Sequence, residues 1–209
     1  MLEINNFNII KELISFNSDD EFYFLQIIKR KKENPEQTGN SRIIKTYYIT
    51  GLDYFESKYE EIKTLSKLNN ARAYINLNKR SFEKIAFHNL KKITDCIMNK
   101  DYKSIKNSYD SVCGQFSIGD KFWIIDIDLP QVSPRLLAYI EYECDPITVV
   151  QFDEVGFPIS SNSKIISIIP TLNGHHIITK PFRIDQFKCK YPELDIQKNN
   201  PTLLYYGRN

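Results

Sequence analysis

Residues Phe122–Pro130 read FWIIDIDLP, an apolar run that ends in Asp126 and Asp128 with only Ile127 between them. On an extended strand successive side chains point to opposite faces, so the two aspartates share one face while Ile125 and Ile127 share the other. Two carboxylates side by side repel, and a buried pair is costly unless a cation or a shared proton offsets the repulsion. The pair therefore sits either at a solvated strand end or on a metal. Its oxygen donors suit hard Mg2+ or Mn2+ better than Zn2+ or copper. A sheet edge carrying two solubilising acids is the plain alternative, and a pattern as short as Asp-x-Asp does not decide between them.

Downstream of this strand, Leu129-Pro130 stops it, and Ser133-Pro134 starts a helix that runs to about Glu143. Asp145-Pro146 breaks the helix; a strand over Ile147–Phe152 and a loop over Asp153–Ser163 follow. Two β-rich runs, Lys164–Pro170 and His175–Phe182, are joined by Thr171-Leu172-Asn173-Gly174, in which Asn-Gly is a strong hairpin signal.

Upstream, the spacing predicts a helix over Ile4–Phe16, strands over Glu21–Lys29 and Arg42–Thr50, and a helix over Asp53–Leu68. A two-faced strand over Ala71–Leu77 comes next. Ser81 then caps a helix with Phe82, Ile85, Ala86, Leu90, Ile93 and Ile97 as its apolar stripe, ending near Asn99. Asp101–Asp120 is mixed and turns at Gly119-Asp120, and Pro201–Tyr206 closes the chain as a last strand or a strap. The pattern is α+β: a mostly antiparallel sheet with helices packed on it. We read one domain over 1–209, with a helix-hairpin-helix lobe at 1–70 and a lobe at 71–209 that carries the acidic strand.

The 209 residues, 42% hydrophobic and 26% charged, are those of an ordinary globular chain and disfavour both a disordered and a membrane class. A net charge of +2 neither supports nor excludes nucleic acid as a partner. Cys96, Cys113, Cys144 and Cys189 form no Cys-x-x-Cys pair, which argues against a zinc knuckle or a local redox motif. With no signal-like or membrane-spanning stretch, the expected setting is a reducing cytoplasm without membrane partners. The Asn/Lys/Ile-heavy composition suits an AT-rich bacterial or phage genome.

Three further features carry chemistry. In the run after Asn173-Gly174, period two puts His176, Ile178 and Lys180 on one face and His175, Ile177 and Thr179 on the other. His176 and Lys180 are thus candidate phosphate donors, beside a glycine that lets an anion approach the backbone. Asp195 sits between Leu194 and Ile196, as a turn acid or as a third carboxylate. Lys29, Arg30, Lys31 and Lys32 make a basic loop, either a solvated tip or a phosphate-backbone contact.

Taken in order, Asp126-Ile127-Asp128 on a hydrophobic strand, Gly174-His175-His176 opening another, and Leu194-Asp195 resemble the three motifs of archaeo-eukaryotic primases and primase-polymerases. The resemblance covers about residues 70–206. It implies an RRM-like, ferredoxin-like catalytic half that works as a nucleotidyltransferase in DNA replication. It also implies Mg2+ or Mn2+ on Asp126, Asp128 and Asp195, and His176 on the incoming nucleotide's phosphates. The implied partners are nucleoside triphosphates, a single-stranded or primed template, and a helicase or accessory replication protein. The chain departs from the family in lacking a cysteine cluster, room for a large accessory domain, and a basic Pro-Gly run after Asp195.

Two other functions fit the same residues. The acids and histidine suit a metal-dependent phosphoesterase or nuclease. Alternatively, the chain is an inert nucleic-acid-binding module in which Tyr47, Tyr48 and Tyr74 stack on bases.

Overall fold

The computed structural model describes residues 3–144, 151–152, 158–159 and 163–208, which form two compact units, Met1–Lys121 with Asn199–Asn209 and Phe122–Lys198. The chain is α+β, and its strand pairs are antiparallel. The break Asp145-Pro146 and most of the expected strand 147–152 and loop 153–163 lie outside the described residues. Within them, β-ladder pairing joins Gln151–Phe152 to Pro158–Ile159.

The first unit contains, in order, β1 (Glu3–Asn5), α1 (Phe7–Leu13), β2 (Glu21–Lys29), β3 (Arg42–Ile49), α2 (Leu52–Asn69), β4 (Arg72–Ile75), β5 (Arg80–Ser81), α3 (Phe82–Met98) and α4 (Ser108–Gln115). Alternation along β2 sorts its side chains. Phe22 and Phe24 join Ile85 of α3 and Val112 and Cys113 of α4 in one cluster, while Tyr23, Leu25 and Ile27 are buried from the other face. Helix α2 lies against β2, β3 and β4. Ser81 caps α3 as its sequence predicts, accepting the Lys84 N–H at 3.1 Å.

Two expectations for this unit need correction. The opening segment is not one helix over Ile4–Phe16, because Glu3–Asn5 extends the sheet and only Phe7–Leu13 is helical. The lobe boundary also does not fall near residue 70. Ile75 of β4 pairs with Leu25 of β2, and Thr202 opens the closing strand opposite Ile75, so residues 72–75 and 202–207 belong to the N-terminal sheet. Strands are recruited by ladder partners, which neighbours in sequence do not reveal.

The second unit contains β6 (Trp123–Ile127), α5 (Pro134–Ala138) extended by a π turn over Tyr139–Glu143, β7 (Gln151–Phe152), β8 (Pro158–Ile159), β9 (Ile165–Pro170), β10 (His175–Thr179), α6 (Ile184–Lys190) and β11 (Asp195–Gln197). The chain then returns to the first unit as β12 (Thr202–Gly207), whose sheet runs β1-β12-β4-β2-β3 with β5 paired to β2. The site-bearing sheet runs β11-β6-β10-β9. Ile125, Ile127 and Ile177 pack on Leu136, Tyr139, Ile140, Phe182 and Phe187. Helix α6, which the sequence reading did not assign, supplies Phe187 to this core. Among the described residues no helix is long and apolar enough to cross a membrane.

The fully buried Arg80 ties the first unit together. Its Nε donates to the Cys113 carbonyl at 2.8 Å, its Nη2 to Asn199 Oδ1 at 3.2 Å, and its Nη1 to the Asn78 carbonyl. Burial pulls the guanidinium down to about 10 and pushes the Cys113 thiol up to about 12, so at neutral pH the arginine is charged and the thiol is not. Asn199 in turn donates to the carbonyls of Gly114 and Gln115 at 3.1 and 2.9 Å. Arg80→Met keeps the chain length and removes three donors. At about 1 kcal/mol per hydrogen bond, it is expected to lower stability by about 3 kcal/mol, read as a fall in the urea midpoint.

Candidate functional site

Strand β6 is an interior strand of its sheet, with β11 on one side and β10 on the other. Its register sets Asp126 directly opposite both Asp195 and His176. Directly paired residues share a face, so the sequence Asp195–Asp126–His176 runs as one row across three strands, with neighbouring β-carbons about 5 Å apart. The His176 Nε2 stands 3.5 Å from Asp126 Oδ1, a separation at which a protonated imidazole forms an ion pair. His176 is 9% exposed and Asp195 is exposed.

The remaining candidates divide. Asp128 follows the last residue of β6, exposed, two positions beyond Asp126. His175 pairs with Ile127 and so lies on the reverse face, where its Nδ1 is buried without a hydrogen-bond partner among the described residues. The split between the two histidines is the one that alternation predicts. Lys180 is not brought beside His176. Strand β10 ends at Thr179 opposite Trp123, so Lys180 lies at the far end of the strand, about 13 Å of extended chain from His176.

The glycine before the histidines has a different job from the one expected. A β-carbon at Gly174 would fall 1.9 Å from the Ile127 carbonyl oxygen and 2.8 Å from the Leu129 nitrogen, so what approaches Gly174 is the backbone that carries Asp128. The turn is braced by Thr171, whose N–H donates to the Gly174 carbonyl at 2.8 Å and whose Oγ1 accepts the Gly174 N–H at 3.2 Å. Sequence reading also missed Gln197, whose Nε2 donates to Asp195 Oδ2 at 3.1 Å. Its signal was present, since two residues apart on a strand is the same face.

The donor set suits a hard divalent cation: carboxylates on adjoining strands, two of them directly opposed and so destabilising to each other unless positive charge lies between them. Asp126 and Asp195 would hold such an ion, with Asp128 beside them. Among the described residues, no three His, Cys, Asp or Glu side chains are grouped closely enough to form a ready-made metal site.

Most of the features read as nucleic-acid contacts are engaged within the protein, Lys32 being exposed. Lys29 pairs with Glu36 at 3.8 Å, Arg30 with Glu33 at 3.6 Å, and Lys31 Nζ donates to the Pro35 carbonyl at 2.9 Å. Tyr47 is buried with its hydroxyl on Glu61, and the Tyr48 hydroxyl donates to Asp110. Burial and those carboxylates push both phenols well above their ordinary range. The Tyr74 hydroxyl accepts from Arg30 and Arg72, each at 3.3 Å. No family model matches the chain, and no match was found among curated proteins or solved structures.

Gly174→Ala forces backbone against backbone at the Ile127 carbonyl. The turn must move away from β6, at an expected cost of about 2 kcal/mol, in the range of overpacking in a closed interior. Chemical denaturation checks the loss, and Thr171→Ala, which removes one hydrogen bond of the same turn, should cost about 1 kcal/mol.

Proposed function

We propose that the chain is a metal-dependent nucleotidyltransferase of the primase or primase-polymerase kind, making or extending a nucleic-acid strand from nucleoside triphosphates. The observation that carries this reading is the row Asp195–Asp126–His176, in which the three short motifs sit on adjoining strands with the Asp-x-Asp strand in the middle. In the reaction a 3′-hydroxyl oxygen bonds to the α-phosphorus of the incoming triphosphate as its proton is lost to solvent, the bond from that phosphorus to the oxygen bridging to the β-phosphate breaks, and pyrophosphate leaves with the electron pair. Bound Mg2+ or Mn2+ supplies the positive charge that draws the hydroxyl and the phosphates together.

Asp126 and Asp195, fixed by the ladder, would hold the ion, with Asp128 at the strand end as the further carboxylate. Gln197 holds the Asp195 carboxylate in orientation. His176, turned to the same face, donates to a phosphate oxygen of the nucleotide. Lys180 has no part in this reading. The template and the triphosphate are the partners it requires.

Labelled nucleotide incorporated on primed or unprimed single-stranded DNA with Mn2+ or Mg2+, and lost with EDTA, tests the proposal; degradation of a labelled strand instead would make the same site a nuclease. Asp126→Asn/Asp128→Asn is expected to abolish incorporation while the urea midpoint holds or rises, because the substitution relieves like-charge repulsion. His176→Ala should lower kcat/KM roughly 10²-fold, the scale of one lost electrostatic donor. His175→Ala, on the reverse face, should leave kcat/KM near the natural value. Equal losses from both histidine variants would remove His176 from its assigned role.

A further inference from the structure

Helix α3 has two apolar faces and uses only one. Ile85 is buried in the cluster with Phe22 and Phe24, and Phe82 packs beside it. On the other side Phe87, Leu90, Ile97 and Met98 are 66%, 63%, 51% and 77% exposed, and Tyr102 just beyond the helix is exposed as well. At 3.6 residues per turn these four helix residues and Thr94 fall within an arc of about 100°, roughly opposite Ile85. The stripe expected from the sequence therefore splits: Ile85 goes inward, Leu90 and Ile97 outward. Contiguous large apolar side chains in water mark an interaction surface.

Charge selects the occupant. Lys84 and Lys91 border the exposed stripe on one side; residues 83–106 hold six lysines, at 84, 91, 92, 100, 103 and 106, against Glu83, which lies within the stripe, Asp95 and Asp101, and Lys92 alone turns to the Ile85 side, where it meets Ser111. That local excess is larger than the +2 of the whole chain. None of the six lysines is in an ion pair among the described residues. A second copy of the chain packed antiparallel on this face would set lysine edge against lysine edge across a two-fold axis, a like-charge arrangement that opposes association.

We propose that the outer face of α3 docks an acidic amphipathic helix of a partner protein, whose apolar side covers Phe87, Leu90, Ile97 and Met98 and whose carboxylates meet the surrounding lysines. Helix-on-helix capture through residues spaced three and four apart is an established recognition mode. The surface stands apart from the nucleotidyl-transfer reading and uses none of its residues.

The probe is a synthetic amphipathic peptide of about 20 residues, long enough to be helical, with leucine on one face and glutamate on the other, followed by fluorescence anisotropy. The full chain should bind it saturably, and more weakly as salt rises. The same peptide with lysine for glutamate should bind far less. Phe87→Glu/Leu90→Glu should weaken binding roughly 30-fold, the effect of losing an interface hot spot. Circular dichroism checks that this variant is folded. Lys91→Glu/Lys103→Glu, altering only exposed charge, should reverse the preference between the two peptides. Asp126→Asn/Asp128→Asn should bind the acidic peptide as the natural chain does. Equal binding of the two peptides, binding of neither, or a dimer in sedimentation that Phe87→Glu/Leu90→Glu dissociates would overturn the proposal.

Discussion

Two carboxylates set directly opposite each other across an antiparallel pair work against the pairing that holds them there, and the arrangement of the second unit follows from how that opposition is overcome. Asp126 faces Asp195, a like-charge pair that costs up to about 1 kcal/mol. On the reverse face of the same strands Ile125, Ile127 and Ile177 are almost wholly buried against α5 and α6. Each such burial contributes about 1.5–3 kcal/mol, so the core side outweighs the acidic side several times over. The strand can carry acids on one face because the other face is committed to the core. A slip of one residue would exchange the two faces and lose both.

The placement of the Asp195–Asp126–His176 row also depends on a residue outside it. Gly174 lets the β9–β10 turn close on the end of β6, which fixes where His176 falls relative to Asp126. Within the first unit a polar cluster has the corresponding fixing role: Asn199 is bonded to Arg80, Asn78 and the carbonyls of Gly114 and Gln115. Burying the Arg80 charge costs desolvation, visible in its lowered pKa, and three hydrogen bonds to fixed acceptors offset that cost.

Much of this was legible in the sequence, because period two is a local property. It separated Asp126 from Ile127 and His176 from His175, and the turn and capping residues located the β9–β10 hairpin and the start of α3. Register is not local. Nothing in the spacing of Leu194-Asp195 says that it pairs opposite Asp126, and nothing in Ala71–Leu77 or Pro201–Tyr206 says that both strands join the first unit. Lys180 was read on the His176 face, and β10 ends one residue before it, at Thr179. On α3 the apolar pattern was read correctly as a pattern, but an inward and an outward stripe obey the same periodicity.

The three acids differ in freedom. Asp126 and Asp195 sit on paired strands, so their separation is held by the ladder, whereas Asp128 lies one residue past the end of β6 in a stretch without ladder bonds of its own. The ladder therefore holds two of the three carboxylates at the spacing of directly opposed residues, about 5 Å between β-carbons, while the third takes its position from the chain that leaves β6 past Gly174.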